Sequence, residues 1–131
     1  MTVSPTDSNA RDPAWLGRAG ERYAARLLRR AGYRILDRNW KYGRLEIDLV
    51  ARIGDEVVFV EVKTRRPGPQ TAGEFVHPAQ RRRIARAAAA WLVRHPGAGA
   101  SARFDIICIT FRTGFAPEVE HFAAAFDATG W

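Results

Sequence analysis

The chain has 131 residues, 47% of them hydrophobic, which is enough for one domain with a real core. Its 21 Lys and Arg against 14 Asp and Glu leave a net charge of +7, and that balance suits a polyanionic partner. No run approaches the roughly 18 apolar residues of a membrane helix, no signal-peptide stretch opens the chain, and the lone Cys108 excludes an internal disulfide and a cysteine-based zinc site. No membrane partner is expected, and the expected location is the cytoplasm.

Residues 1–12 are polar and read as a disordered tail ahead of a single domain over 13–131. Asp12-Pro13 is an N-cap followed by proline at the first helical position. The helix it opens should run to about Ala31, with Gly32 as its stop. Leu16, Ala19, Tyr23, Leu27 and Ala31 are its expected apolar stripe, and Gly17 and Gly20 would admit a close neighbour. Glu21 lies beside that stripe, where a charge needs a partner. Either Arg18 or Arg22 supplies one in solvent, or Glu21 belongs to a site.

Tyr33–Trp40 reads as a short strand and Lys41-Tyr42-Gly43 as the turn after it. From Leu45 to Ala51 apolar and polar residues alternate, and Val57–Val62 is a β-branched and aromatic run of the kind buried on both faces. Gly54-Asp55 between them is a two-residue hairpin turn, since glycine accepts the positive φ such turns need. That turn sets Asp48 opposite Glu61 and Glu46 opposite Lys63. Opposed residues share a face with Cβ atoms roughly 4.5–5.5 Å apart, and residues 61 and 63 share a face by alternation. Two carboxylates so close repel unless a cation sits between them. Magnesium binds through one or two carboxylates, waters and substrate phosphate. The spacing alone also accommodates an ordinary Glu46–Lys63 salt bridge with Asp48 half solvated.

Residues 64–76 hold Pro67, Gly68, Pro69 and Gly73 and no period, so they read as a loop flanking the carboxylates. His77–Arg94 is a second helix, with Pro78 in its first turn and Ile84, Ala87, Ala88, Trp91 and Leu92 facing inward. Gln80 lies on the inner flank, and Arg82, Arg83 and Arg86 point outward. These arginines either make a solvated helix face or join Arg65 and Arg66 in holding phosphate. Arg103–Phe111 is a strong strand, and the strand–helix–strand order predicts that it runs parallel to residues 56–63. Cys108 falls in it and reads as a small core residue. Residues 118–126 suggest a short edge strand and one helical turn.

Helix, three strands, helix, strand, with Asp on the second strand and Glu-x-Lys on the third, resembles the restriction-endonuclease-like superfamily, the PD-(D/E)XK nucleases. The chain is more closely similar to the YraN family of small bacterial proteins. The likeness rests on GRAGERYAARLLRRAGYRILDRNW (17–40), EIDLVARIGDEVVFVEVKTR (46–65), VHPAQRRRIARAAAAWL (76–92) and RFDII (103–107). It implies an α/β core of order α-β-β-β-α-β, a mixed central sheet flanked by helices, with a short C-terminal edge strand as an addition. It implies a magnesium-dependent phosphodiesterase, with manganese as a substitute, similar to archaeal Holliday-junction resolvases. Asp48 and Glu61 match the metal-binding carboxylates, Lys63 the motif lysine and Glu21 the first-helix glutamate that can join the metal site. Gln80 sits where relatives often carry lysine or glutamine. The carbonyl of Val62 is a further candidate ligand, since backbone oxygens suit hard cations. Arg65, Arg66, Arg82, Arg83 and Arg86 would hold the sugar-phosphate backbone without reading bases, giving preference for branched or otherwise structured DNA. Resolvase-like relatives often dimerise, so a homodimer is an expectation of the same kind.

There are two departures: Leu45 stands where relatives usually carry glycine, and Gln80 where family members usually carry lysine. Neither removes a metal ligand. Fold does not fix activity, so a nucleic-acid-binding or scaffolding protein with a retained, non-catalytic site stays as the alternative.

Overall fold

The structure, a computed structural model, describes residues 13–67 and 77–127. Helix α1 (Pro13–Arg30) leads into β1 (Arg34–Tyr42), β2 (Leu45–Ile53) and β3 (Glu56–Arg65). Helix α2 (Pro78–Arg94), β4 (Ser101–Thr110) and β5 (Glu118–Phe126) follow. The strands form one sheet in the order β1-β2-β3-β4-β5. It is antiparallel except between β3 and β4, which are parallel as the strand–helix–strand order requires. The tail expected over 1–12 and loop residues 68–76 lie outside the described residues.

Alternation along β3 separates two cores. Val58, Val60 and Val62 pack with Ala24, Ala25 and Leu28 of α1. Val57 and Phe59 pack with Ile84, Ala87, Ala88 and Trp91 of α2. The helices therefore cover opposite faces, which is why β3 reads as an unbroken apolar run. Gly54 takes φ +56 in the turn, and the register from Ile53↔Glu56 to Leu49↔Val60 follows from it. Cys108 is buried, as a core residue should be.

Three expectations are corrected. Helix α1 does not bury the stripe through Leu27 and Ala31: Ala24, Ala25 and Leu28 are buried, Leu27 only partly so, and Ala31 is exposed beyond the helix. The cause is Gly20, where an added Cβ would collide with the side chain of Thr64, so the helix rides on β3 along its small-residue face. Gly17 has open space around it and plays no such part. Strand β1 continues to Tyr42 because Trp40, Lys41 and Tyr42 pair with Ile47, Glu46 and Leu45, and the turn is Gly43-Arg44 with Gly43 at φ +60. Residues 118–126 form strand throughout, with no helical turn. The carboxylate of Asp105 ties them to β4 across a bulge, accepting from the N–H of Ala124, which takes φ +50, at 2.9 Å and meeting His121 Nε2 at 2.7 Å. No helix among the described residues is long and apolar enough to cross a membrane.

Candidate active site

One rung past Leu49↔Val60, the β2–β3 ladder gives way to a side chain. Asp48 Oδ2 accepts from the backbone N–H of Val62 at 2.9 Å. The strand turns at this residue: Ile47 packs in the α2 layer and Leu49 in the α1 layer, although strict alternation would put both on one face. On the neighbouring strand the pairs Trp40↔Ile47 and Arg38↔Leu49 bracket Asn39, which takes φ +44. Both strands are thus irregular at the rung that carries Asp48.

Glu61, only 9% exposed, approaches from β3. Its Oε1 accepts from Gln80 Nε2 at 3.1 Å and pairs with Lys63 Nζ at 3.1 Å. Pro78 and the N-cap His77, whose Nδ1 accepts from Ala79 N–H at 3.1 Å, start α2 so that its first turn delivers Gln80 to this oxygen. The open question over Lys63 is settled in favour of Glu61. Glu46 instead accepts from Asn39 Nδ2 at 3.2 Å, and the same amide donates to Glu21 Oε1 at 2.7 Å. The two bonds orient the amide, since carboxylates need donors. Glu21 therefore faces the site and not only its helix neighbours.

Asp48, Glu61, Lys63, Glu21 and Gln80 gather at this end of the sheet as the sequence suggests. Asn39, which sequence reading missed, ties Glu21 to the β1–β2 hairpin. Its signal was an asparagine in the middle of a strand pattern, since asparagine tolerates the left-handed conformation better than other non-glycine residues.

The charges do not balance. Burial first, then the neighbouring Glu61, with Glu21 and Glu46 adding, pushes the Asp48 carboxyl up from 3.8 to about 8, against the pull of the Val62 N–H. Burial likewise raises Glu61, with Lys63 opposing and Glu21 and Glu46 reinforcing. One lysine leaves the carboxylates under-neutralised. Among the described residues no fully buried side-chain nitrogen or oxygen lacks a partner. Asp48 Oδ1 and Glu61 Oε2 take part in none of these bonds.

Two facing carboxylates fit a hard divalent cation that keeps most of its waters. They do not make an all-protein cage: among the described residues no three His, Cys, Asp or Glu side chains gather closely enough to hold an ion. The Val62 carbonyl lies on the strand between Glu61 and Lys63, where it could add a ligand.

The arginines divide. Arg66, Arg82, Arg83 and Arg86 are exposed. Arg65 is half-buried, its Nε donating to Thr110 Oγ1 at 3.4 Å. On the other side of the acids, Arg18, Arg22 and Arg38 line a cleft of about 120 Å³ with Glu21 and Asn39. Sequence reading took Arg18 and Arg22 only as partners for Glu21. A larger cavity of about 670 Å³, lined by Phe59, Leu92, Phe104 and Phe126 among others, includes none of the site residues.

The profile of a family described as Uncharacterised protein family UPF0102 matches residues 20–109. The chain is 48% identical to a UPF0102 protein of Anaeromyxobacter dehalogenans over 116 residues, 88% of this chain and 86% of the relative. It is 47% identical to one of Geobacter sulfurreducens over 116 residues, 86% of this chain and 88% of the relative. To one of Nocardia farcinica it is 42% identical over 116 residues, 88% of this chain and 91% of the relative. The matched span contains Glu21, Asn39, Asp48, Glu61, Lys63 and Gln80.

Proposed function

This chain belongs to the UPF0102 family, the YraN family that its sequence resembles, and we propose that it is a divalent-metal-dependent phosphodiesterase that cuts branched or otherwise structured DNA. The observation that carries the reading is the pair of half-buried Asp48 and buried Glu61, which face each other with both carboxyls raised in pKa. A net charge of +7 supports a polyanionic substrate.

Asp48 and Glu61, with the Val62 carbonyl, would hold Mg²⁺ or Mn²⁺, and Glu21, tied by Asn39 to Glu46, would add negative charge beside them. The ion, when bound, supplies a water of lowered pKa and polarises the phosphate. Lys63 keeps its ammonium beside Glu61 and places positive charge where the phosphate gains negative charge, in a site where such an interaction counts for more than in water. Gln80 donates to the same Glu61 oxygen and helps to orient the carboxylate. The arginines of α2 and of the end of β3 hold backbone phosphates and read no bases.

The test is a panel of labelled single-stranded, duplex, flapped and four-way-junction DNAs, incubated with Mg²⁺, Mn²⁺ or EDTA. Metal-dependent cutting of at least one structured substrate is expected. Binding without cutting in either metal would overturn the reading.

A second reading, a nucleic-acid-binding protein that keeps the site without turnover, has its own support. Lys63 and Gln80 both engage Glu61 Oε1, which is also what a resting structural cluster would do. Both readings place the binding face on the same arginines. Each phosphate contact contributes roughly −0.9 to the slope of log K against log salt. Changing Arg82 and Arg83 to alanine should flatten that slope by up to about two units; an unchanged slope would move the face elsewhere, and the cleft of Arg18, Arg22 and Arg38 is the next to test.

A further inference from the structure

β1 is an edge strand, and its last residues alternate aromatic and basic: Trp40, Lys41, Tyr42, then Arg44 in the turn. The rings of Trp40 and Tyr42 are parallel, with an interplanar angle of 0° and centroids 6.1 Å apart. Tyr42 is 44% exposed, Trp40 is partly exposed, and Lys41 and Arg44 are exposed. From the end of α2 the Arg94 guanidinium lies 4.8 Å from the centre of the Tyr42 ring. Trp40 pairs with Ile47, the neighbour of Asp48, and both lie on the α2 side of the sheet, the side from which Gln80 reaches Glu61.

We propose that Trp40 and Tyr42 form a stacking platform for unpaired nucleobases at the rim of the acidic site, so that the favoured substrate carries a single-stranded stretch beside the bond to be cut. The inference rests on the phosphodiesterase reading and adds the substrate class. Aromatic faces receive any base, and neighbouring cations hold the backbone between bases. Lys41 and Arg44 supply those cations, and Arg94, over one face of the Tyr42 ring, leaves the other face for a base. The spacing decides between duplex and single strand. Bases in a duplex strand rise 3.4 Å per step, whereas the rings are 6.1 Å apart. Two successive bases set one on each ring at that spacing fit an extended, unstacked strand better than a duplex. The bland reading, that the rings only close the end of the hairpin against α2, explains Trp40, which packs partly into the α2 core. It does not require Tyr42 to leave nearly half its surface in water.

The test is binding without metal, in EDTA, where cutting plays no part. Fluorescence anisotropy is measured with a labelled single strand, a flap and a blunt duplex. Tyr42→Ala should weaken binding of the single strand and flap by about tenfold and leave the duplex within about twofold. Tyr42→Phe should restore binding, because the face and not the hydroxyl is used. Should Tyr42→Ala fail to fold, photo-crosslinking of a 5-iodouracil single strand to the wild-type protein takes its place, with Trp40 or Tyr42 as the expected attachment sites. Equal weakening of all three ligands, an unchanged Tyr42→Ala variant, or crosslinks confined to other residues would overturn the platform. The two readings fail separately. Tyr42-dependent single-strand binding with no cutting in Mg²⁺ keeps the platform and ends the enzyme. Cutting with no role for Tyr42 does the reverse.

Discussion

The protein buries acid in two places and treats it in opposite ways. Asp105, fully buried on β4, is satisfied on every side. Arg103 donates to it at 2.9 and 3.1 Å, His121 meets it at 2.7 Å, and the Ala124 N–H closes the set at 2.9 Å. Arg103 is itself held by Glu56 and Tyr33. Burial alone would raise the Asp105 pKa, but these donors outweigh it and the carboxyl ends below its ordinary value. Asp48 receives one backbone N–H and faces Glu61, Glu21 and Glu46, and it ends far above. The Asp105 cluster spans β3, β4 and β5 and pins the edge strand. The Asp48 pair holds the Val62 N–H, Gln80 and Lys63, with only Lys63 as a counter-charge. A buried charge that is fully compensated does structural work, and one left uncompensated points to a ligand of opposite sign.

The contrast breaks most visibly at Asp105. Asp105→Ala removes one side of a buried ion pair and leaves the Ala124 N–H without its acceptor. It should destabilise the protein by about 3–4 kcal/mol, read as a fall in melting temperature of roughly 10 °C or more. Asp48→Asn should raise the melting temperature of the metal-free protein near neutral pH, since it removes a group that burial, and then Glu61, force to take up a proton on folding. If both substitutions destabilise alike, the two centres are of one kind and the distinction is lost.

Lys63→Ala tests the same site through chemistry. Lysine is no metal ligand and one cation among many, so metal and DNA binding should be nearly unchanged. Cleavage should fall by about 10²–10³-fold, the usual effect of losing one charge-stabilising group in the transition state. A fall in DNA affinity large enough to account for the lost rate would make Lys63 a binding residue only.

The two centres also respond to pH with opposite signs. Asp48 holds its proton more tightly in the folded chain, at about 8, than at its ordinary value of 3.8. Its contribution to stability is therefore complete below the lower value and is lost as pH rises through the upper one. Asp105 titrates below its ordinary value, so its contribution is present above that value and lost as pH falls through the folded one. Without metal, the melting temperature should fall between about pH 6 and pH 8.5. Asp48→Asn or saturating Mg²⁺ should flatten that slope, because a bound cation replaces the proton. A metal-free protein equally stable across this range would mean that Asp48 is not under-neutralised.

Much of this was legible in the residues. Gly54-Asp55 set the hairpin register, and from it came the meeting of Asp48 with Glu61. The strand–helix–strand order set β4 parallel to β3, and the resemblance to a nuclease family pointed to Glu21 and Gln80. What was hidden depends on contacts that no local pattern announces. The face that α1 buries is decided by the close approach of Gly20 to Thr64 on another element. The full length of β5 is decided by Asp105, whose partners come from positions 103, 121 and 124 and whose type, a charge inside an apolar run, looked unremarked beside its neighbours. The Asn39 bridge depends on a backbone conformation that sequence patterns do not specify.

Asn39 gives the smallest expected effect and the sharpest one on how the site is built. At φ +44 an alanine would add strain of about 1–2 kcal/mol, which would blur any loss of hydrogen bonding. Asn39→Gly keeps the backbone and removes only the amide that holds Glu21 and Glu46. The variant should fold with near-native stability and bind Mn²⁺ about tenfold more weakly, the usual effect of removing a group that orients the ligands around a metal. Asn39→Asp also suits the left-handed conformation, but it sets a third carboxylate against the two that the amide now satisfies. It should therefore steepen the loss of metal-free stability toward high pH, which the glycine variant should not do. Were the glycine variant to bind Mn²⁺ as the native protein does, Glu21 and Glu46 would be bystanders, and the site would reduce to Asp48, Glu61 and Lys63.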